Sequence, residues 1–171
     1  MAKRFLALDP GLTGTGYCYV VEAPGNPAFG FLRHDYKHGN FRTLKPKKFG
    51  LQERIDFLCG QLGDFLVDKV LAIQEVVIEQ PSLWSASALS HASASKGDLF
   101  ALAMLIGAFQ LICSQHQIPC RLISVQAWKG TMTKDATRAR LERNLQTKFD
   151  SRASTHEIDA LGLAMFVAGK F

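Results

Sequence analysis

The chain has 171 residues, of which 47% are hydrophobic and 20% charged, a composition that excludes disorder and predicts one globular domain over residues 1–171. Its longest apolar run, about Leu99 to Cys113, is shorter than the roughly 20 residues of a membrane span, and no apolar signal region precedes the first acidic residue. The four cysteines lack metal-site or disulfide spacing and lie in apolar stretches. We therefore expect a soluble protein without a membrane partner, located in the cytoplasm, with a host cytoplasm or an organellar matrix as alternatives.

The net charge of +5 is distributed unevenly along the chain. Two segments, residues 31–54 and 121–152, hold 15 of the 20 Lys and Arg residues but only 5 of the 15 acidic residues. Clustered Lys and Arg commonly neutralise phosphates, so this pattern favours nucleic-acid binding. An ordinary solvated surface is the alternative interpretation.

The first half of the chain predicts three strands and a helix. Arg4 to Leu8 and Tyr17 to Val21 predict a hairpin around a Pro-Gly turn. A third strand is predicted near Phe29 to Leu32, and the basic stretch Lys37 to Gly50, interrupted by glycine and proline, predicts a loop. Apolar residues then recur at three- and four-residue steps, which predicts an amphipathic helix. They are Leu51, Ile55, Leu58, Leu62 and Leu66.

The second half predicts two further strands and three helices. The strand Val76 to Ile78 ends at Glu79-Gln80-Pro81, because proline cannot continue a central strand. The segment Asp98 to His116 is apolar around nearly its whole circumference, which predicts a helix buried in the core or against a partner. The remaining elements are a strand at Arg121 to Val125, a basic helix at Asp135 to Lys148 and a last helix at Glu157 to Val167, capped by Ser154. This order predicts an α/β fold with a mixed five-stranded sheet flanked by helices.

Four residues at the ends of these elements are candidates for a metal site. Asp9 ends the first strand, Glu79 ends a later strand, and His156 and Asp159 lie three residues apart on one face of the last helix. If the two strands are parallel neighbours, both acids emerge at the same edge of the sheet. Taken singly, each residue has an ordinary explanation at a turn, strand end or helix surface. Together they indicate a metal site. Phosphodiester cleavage by Mg²⁺ requires such a set, because carboxylates from different elements hold two ions roughly 3.5–4 Å apart.

Three motifs resemble those of the RuvC Holliday junction resolvases, in order and spacing over nearly the whole chain. They are LALDPGLTGTGY at 6–17, VIEQP at 77–81 and HEIDALGLA at 156–164. The resemblance implies a ribonuclease H-like fold, a homodimer and paired nicking of four-way DNA junctions that depends on Mg²⁺ or Mn²⁺. It also implies that Asp9, Glu79 and Asp159 are the catalytic, metal-binding carboxylates. His156 would take the fourth position, where family members have Asp or His, and would ligate metal or activate the attacking water.

The resemblance also assigns candidate DNA-binding residues. In the family, lysines before the basic helix contact DNA at the active site, and Lys129 and Lys134 lie in the matching stretch. We expect Trp128 to pack against the domain and fix the direction of Lys129. Arg138 follows in the basic helix. The segment after the second motif lacks the family's aromatic residue that inserts at the junction centre, and Trp84 is its candidate replacement.

Three alternative functions remain at this stage. A related ribonuclease H-like nuclease acting on RNA or on other branched DNA would share the fold and the acids. An actin-like ATPase would explain the opening Asp-x-Gly, but it requires a second domain and a second phosphate motif that this sequence does not show. A non-catalytic junction-binding protein would not require the full set of acids. Metal-dependent cleavage of a panel of substrates distinguishes these functions.

Overall fold

The structure, a computed structural model, describes residues 3–22, 36–42, 49–81, 97–150 and 153–171. Its strands form one mixed sheet in the order β3-β2-β1-β4-β5. Strands β1 (Lys3–Asp9), β2 (Gly14–Glu22) and β3 (Tyr36–Arg42) pair antiparallel, whereas β4 (Glu75–Gln80) pairs parallel with β1 and β5 (Cys120–Ser124) pairs parallel with β4. The predicted hairpin, the parallel pairing of the two acid-bearing strands and the mixed five-stranded sheet are thereby confirmed.

Helices cover both faces of this sheet. Within the described residues they are α1 (Leu51–Val67), α2 (Asp98–Gln115), α3 (Val125–Trp128), α4 (Lys134–Leu145) and α5 (Thr155–Val167). The first two pack on one face and the other three on the opposite face, so the sheet separates two hydrophobic cores. The predicted helices are confirmed with small shifts at their ends. The short helix α3 was not predicted.

Side chains alternate between the two faces along each strand, and this alternation determines which of the two cores each side chain enters. Successive strand residues point to opposite faces, so Leu6 and Leu8 join the core beneath α1 and α2, while Phe5 and Ala7 join the core beneath α5. Asp9 lies two residues after Ala7, at the end of β1, so it is on the same face of the sheet as Phe5 and Ala7. On β4, Val77 likewise faces α5, and Glu79 follows two residues later. Both strand-end acids therefore lie on the face that α5 covers.

All four cysteines are free, as the sequence predicted. Cys18 and Cys113 are fully buried, one in each core. Burial raises the pKa of the Cys18 thiol well above its usual range, because the thiolate would lose its hydration. We therefore regard these cysteines as small core residues.

The predicted loop from Lys37 to Gly50 is wrong in its first part, because residues up to Arg42 belong to β3. Among the described strands, this edge strand pairs with β2 alone, and its backbone hydrogen bonds do not require an alternating apolar pattern. Gly39 indicates a turn in the sequence, but in the structure it pairs with Tyr17 across the β2–β3 ladder. A Cβ at position 39 would lie 2.8 Å from the Tyr17 hydroxyl, so the glycine leaves room for that side chain. The strand predicted near Phe29 to Leu32 lies outside the described residues.

Helix α2 is buried in the core on one face only, and the predicted contact of its other face with a partner stays a prediction. Leu105, Phe109 and Cys113 pack into the first core with no exposed surface, whereas Phe100 and Leu111 are 75% and 60% exposed. With 18 residues and a mean hydropathy of 1.5, α2 is by length and composition long and apolar enough to cross a membrane, although the sequence predicted too short a run. In the structure it packs against α1 and β5.

The N-terminus of α5 lies directly against the β1–β2 hairpin. Gly16 pairs with Asp9 in the hairpin, and a Cβ at Gly16 would overlap the backbone carbonyl of His156. The hydroxyl of Ser154 caps α5 by accepting from the backbone N–H of Glu157 at 3.1 Å, as predicted. The missing side chain of Gly16 therefore allows the first turn of α5 to reach the end of β1.

Gly16→Ala should destabilise the protein by about 1–3 kcal/mol, because the added methyl group forces α5 away from the hairpin. Gly60→Ala is the matched control, since Gly60 lies in the middle of α1 and a Cβ there meets nothing within 4 Å. The control should be neutral or slightly stabilising. Urea unfolding measures both changes, and equal stability of the two variants would contradict the close approach.

Candidate active site

One cavity of about 210 Å³ collects the four residues that the sequence singled out. Asp9 comes from the end of β1, Glu79 from the end of β4, and His156 and Asp159 from the first turns of α5. Lys134, at the start of α4, also lines this cavity. The carboxyl ends of parallel strands thus meet the start of a covering helix, which is a common position for sites in α/β proteins.

Asp9 and His156 form a hydrogen-bonded pair in which Asp9 is buried and the His156 side chain is 40% exposed. His156 Nδ1 lies 2.7 Å from Asp9 Oδ2, and the Asp9 side chain is 8% exposed. This hydrogen bond raises the pKa of His156 above its usual value, although burial opposes the effect. Burial is the main reason that the pKa of Asp9 is also raised, while the imidazole opposes that rise. Gly11 is needed at the turn, because a Cβ there would lie 2.7 Å from His156 Nε2.

Glu79 is held by an indole rather than by a charged group. Trp128 Nε1–H donates to Glu79 Oε2 at 2.8 Å. Burial, followed by the negative charges of Asp9 and Asp159, raises the pKa of Glu79 to about 8. The carboxyl group of Glu79 therefore retains its proton at neutral pH unless a cation compensates the charge of the site.

Asp159 is paired with Lys129. The Lys129 ammonium donates to Asp159 Oδ1 at 2.6 Å, and the two side chains are only 9% and 13% exposed. Lys129 follows Trp128 at the end of α3, so neighbouring residues hold two different acids of the site. The prediction that Trp128 packs against the domain is confirmed by its burial.

The other predicted DNA-binding residues lie in different environments. Lys134 is exposed at the cavity. Arg138 is partly buried, and its guanidinium donates to the carbonyl groups of Phe149 and Asp150 at 2.9 and 3.1 Å, so it tethers the segment after α4. Trp84 lies outside the described residues. The DNA-binding roles of these residues remain predictions.

The donor set fits a hard divalent cation. Asp9, Glu79 and Asp159 supply carboxylate oxygens, which Mg²⁺ prefers, and their mutual repulsion is relieved when a cation binds. Among the residues that the structure describes, no three His, Cys, Asp or Glu side chains are already arranged around a single ion position. Each carboxylate instead has a hydrogen bond to a protein side chain, and at Asp159 that partner is the Lys129 ammonium, whose charge competes with a cation.

Sequence reasoning assigned no partner to the individual acids. The hydrogen bonds from Trp128 and Lys129 depend on helix α3, a four-residue turn without a periodic pattern of its own. One signal of their role is that the tryptophan and the lysine are adjacent in the chain. A second signal is Ser124, which caps α3 by accepting from the backbone N–H of Ala127 at 3.2 Å.

The structure is similar to solved structures of RuvC resolvases. It matches Thermus thermophilus RuvC with a TM-score of 0.64 at 17% identity, covering 98% of this chain and 97% of that one. For T. thermophilus RuvC in complex with a Holliday junction substrate the TM-score is 0.64 at 14% identity, covering 97% and 92%. For the yeast mitochondrial Holliday junction resolvase Ydc2 it is 0.56 at 14% identity, covering 98% and 77%.

No family model and no curated protein matches the sequence. The likeness in structure nevertheless covers almost the whole chain. The chain therefore has a RuvC-like resolvase fold, as its three motifs predicted.

The stability of the metal-free protein should fall as the pH rises from about 4.5 to about 8. Over this range Glu79 keeps its proton in the folded state and loses it in the unfolded state, so folding becomes less favourable as protons become scarce. The raised pKa of His156 acts in the same direction. Urea unfolding in EDTA at a series of pH values measures the slope.

Glu79→Gln should flatten this slope, because the amide does not titrate and its oxygen still accepts from Trp128. Asp64→Asn is the control, since Asp64 is exposed on α1 and does not line the cavity. Wild-type protein and Glu79→Gln with the same slope would show that Glu79 does not carry the pH dependence.

Proposed function

We propose that this protein is a divalent-metal-dependent endonuclease that resolves four-way DNA junctions by paired nicks in opposing strands. One observation carries the proposal: Asp9, Glu79 and Asp159, from three separate elements of a RuvC-like fold, line a single cavity. An ATPase with an actin-like phosphate loop would need a second domain and a second phosphate motif, which this sequence does not show. The alternative function is cleavage of RNA or of other branched DNA, and the substrate panel described below tests it.

The three carboxylates would hold Mg²⁺ or Mn²⁺, with His156 at the fourth position and room for two ions. When bound, such ions activate water and stabilise the charge that develops on a phosphodiester. In a neutral imidazole, donation from His156 Nδ1 to Asp9 leaves Nε2 as the nitrogen that accepts a proton from the attacking water. Lys134, exposed at the same cavity, supplies a positive charge for the phosphate.

Helix α4, which begins at the cavity, carries basic side chains that support DNA binding. Helix α4 begins at Lys134 and presents Arg143 to solvent, with Lys148 following it at 89% side-chain exposure. Arg140 is partly buried, with its guanidinium 4.6 Å from the centroid of the Phe171 ring. A basic surface beside an acidic cavity separates the two tasks of an endonuclease, because lysine and arginine neutralise the phosphates of the arms while carboxylates act at one phosphodiester.

Asp9→Asn, Glu79→Gln and Asp159→Asn should each abolish nicking of a synthetic four-way junction while junction affinity stays within a few-fold of wild type. The carboxylates hold the metal, whereas the basic surface holds the phosphates. A denaturing gel with and without Mg²⁺ measures nicking, and a gel-shift assay in Ca²⁺ measures affinity. Asp64→Asn is the control for losing an exposed carboxylate.

The substrate panel decides between the nuclease functions. It contains a four-way junction, a flap, a linear duplex and an RNA–DNA hybrid of matched length. Symmetric nicks confined to the four-way junction support the proposal, whereas preferred cleavage of the flap or the hybrid would replace it with the related nuclease function. Near-normal nicking by one of the three folded variants would remove that residue from the site.

We also propose that two copies associate through the exposed face of α2. Phe100, Met104 and Leu111 are 75%, 53% and 60% exposed and follow one helix face. The same helix contributes Leu102 to the cavity, so a second copy on this face would place a second cavity at a fixed distance. Two symmetric sites would account for paired nicks.

Leu111→Glu should therefore shift the protein from dimer towards monomer in sedimentation velocity at micromolar concentration, because it places a charge in the apolar contact. Val70→Glu is the matched control, since Val70 is 82% exposed and lies outside α2, in the turn between α1 and β4. A wild-type protein that sediments as a concentration-independent monomer and still makes paired nicks would contradict the proposed dimer.

A further inference from the structure

Trp128 contacts one acid of the cavity, Glu79, through its indole N–H. Its Nε1–H donates to Glu79 Oε2 at 2.8 Å, while the residue as a whole is 3% exposed. A buried indole N–H usually finds a hydrogen-bond acceptor. Here the acceptor is the carboxyl group that we assign to metal binding.

The backbone brings the indole to this position. Glu79 pairs with Ile123 of β5, and the chain turns into α3 immediately after that strand, at the Ser124 cap. Trp128 is the last residue of α3, so it lies within one helical turn of the strand end. The short helix thus fixes the indole beside the end of β4.

Two contacts hold the plane of the ring. Gly162 of α5 lies against it, and a Cβ at Gly162 would be 2.6 Å from Trp128 Cζ3. Phe171 meets the ring edge to face, with centroids 5.3 Å apart and planes at 72°. The indole therefore has little freedom to turn its N–H away from Glu79.

The chemistry of the indole suits a partner of a metal ligand. It has one donor, no acceptor and no charge, so it occupies one lone pair of Glu79 Oε2 and leaves Oε1 for a cation. Lys129 differs, because its ammonium adds a positive charge at Asp159 that competes with a cation. Ligating carboxylates are themselves hydrogen-bonded, and losing such a partner typically costs 10–100-fold in metal affinity.

We propose that Trp128 is a positioning residue that orients the Glu79 carboxylate for metal binding, with Gly162 and Phe171 fixing its ring. This proposal rests on the proposed function of the same cavity. The role is separate from packing, because the hydrogen-bonding edge of the ring acts on the site while its faces contact the second core.

Trp128→Phe removes the donor and keeps an aromatic ring in the core. We expect its Kd for Mn²⁺, measured without DNA from the electron paramagnetic resonance signal of free Mn²⁺, to rise 10–100-fold. The half-saturating Mg²⁺ concentration for nicking should rise in parallel, with little change in junction affinity. Phe171→Leu is a graded comparison, because it keeps the N–H but loosens one of the two contacts that fix the ring, and its Kd should rise by less than that of Trp128→Phe.

A second measurement uses the native tryptophan, in case Trp128→Phe does not fold. The chain has two tryptophans, so Trp84→Phe leaves the indole N–H of Trp128 as a single resonance in a ¹H–¹⁵N spectrum. That resonance should shift when Mg²⁺ is added and again when Glu79 is changed to Gln. A residue that only packs in the core would show neither shift.

The outcomes separate this proposal from the proposed function. Wild-type protein that neither binds Mn²⁺ nor cleaves any substrate would contradict the proposed function. Wild-type protein that does both, combined with an unchanged Mn²⁺ Kd in folded Trp128→Phe or an indole resonance that ignores Mg²⁺, would overturn the positioning role alone.

Discussion

The cost of placing three carboxylates in one largely buried cavity determines what surrounds them. Burial and neighbouring negative charges raise the pKa of Glu79 to about 8, so the site cannot hold its full charge without compensation. Each acid has its own donor: His156 at Asp9, an indole at Glu79 and Lys129 at Asp159. A divalent cation would compensate the same charge. The side chains that hydrogen-bond the acids in the metal-free protein would therefore also affect metal binding: the Trp128 indole by orienting Glu79, and the Lys129 ammonium by competing with a cation at Asp159.

This arrangement links the folding of the protein to its chemistry. The first turn of α5 reaches Asp9 only because Gly16 has no side chain, and the same helix carries Asp159. Lys129 is nearly buried, and an isolated buried ammonium is unfavourable, so loss of the Asp159 carboxylate affects stability as well as chemistry. The fold of any variant at the Lys129–Asp159 pair must be measured before a loss of activity is assigned to the reaction.

Much of this architecture could be predicted from sequence because it follows from short-range patterns. Asp9 and Glu79 end apolar strands, and the two-residue alternation of each strand places both acids on one face. Edge strand β3 was misread, because its glycine serves a cross-strand contact with Tyr17. The donor of Glu79 was also missed, since the position of Trp128 depends on Gly162, 34 positions further along the chain. Such pairings arise from tertiary packing and leave no local pattern.

We propose that the cavity binds divalent metal through carboxylates from β1, β4 and α5. A crystal structure of the protein with millimolar Mn²⁺, recorded for anomalous scattering, would show whether it does. We predict anomalous peaks within about 2.0–2.3 Å of oxygens of Asp9, Glu79 and Asp159, with the Lys129 ammonium moved from its position on Asp159. An ordered cavity without an anomalous peak, with Lys129 still bound to Asp159, would contradict the account.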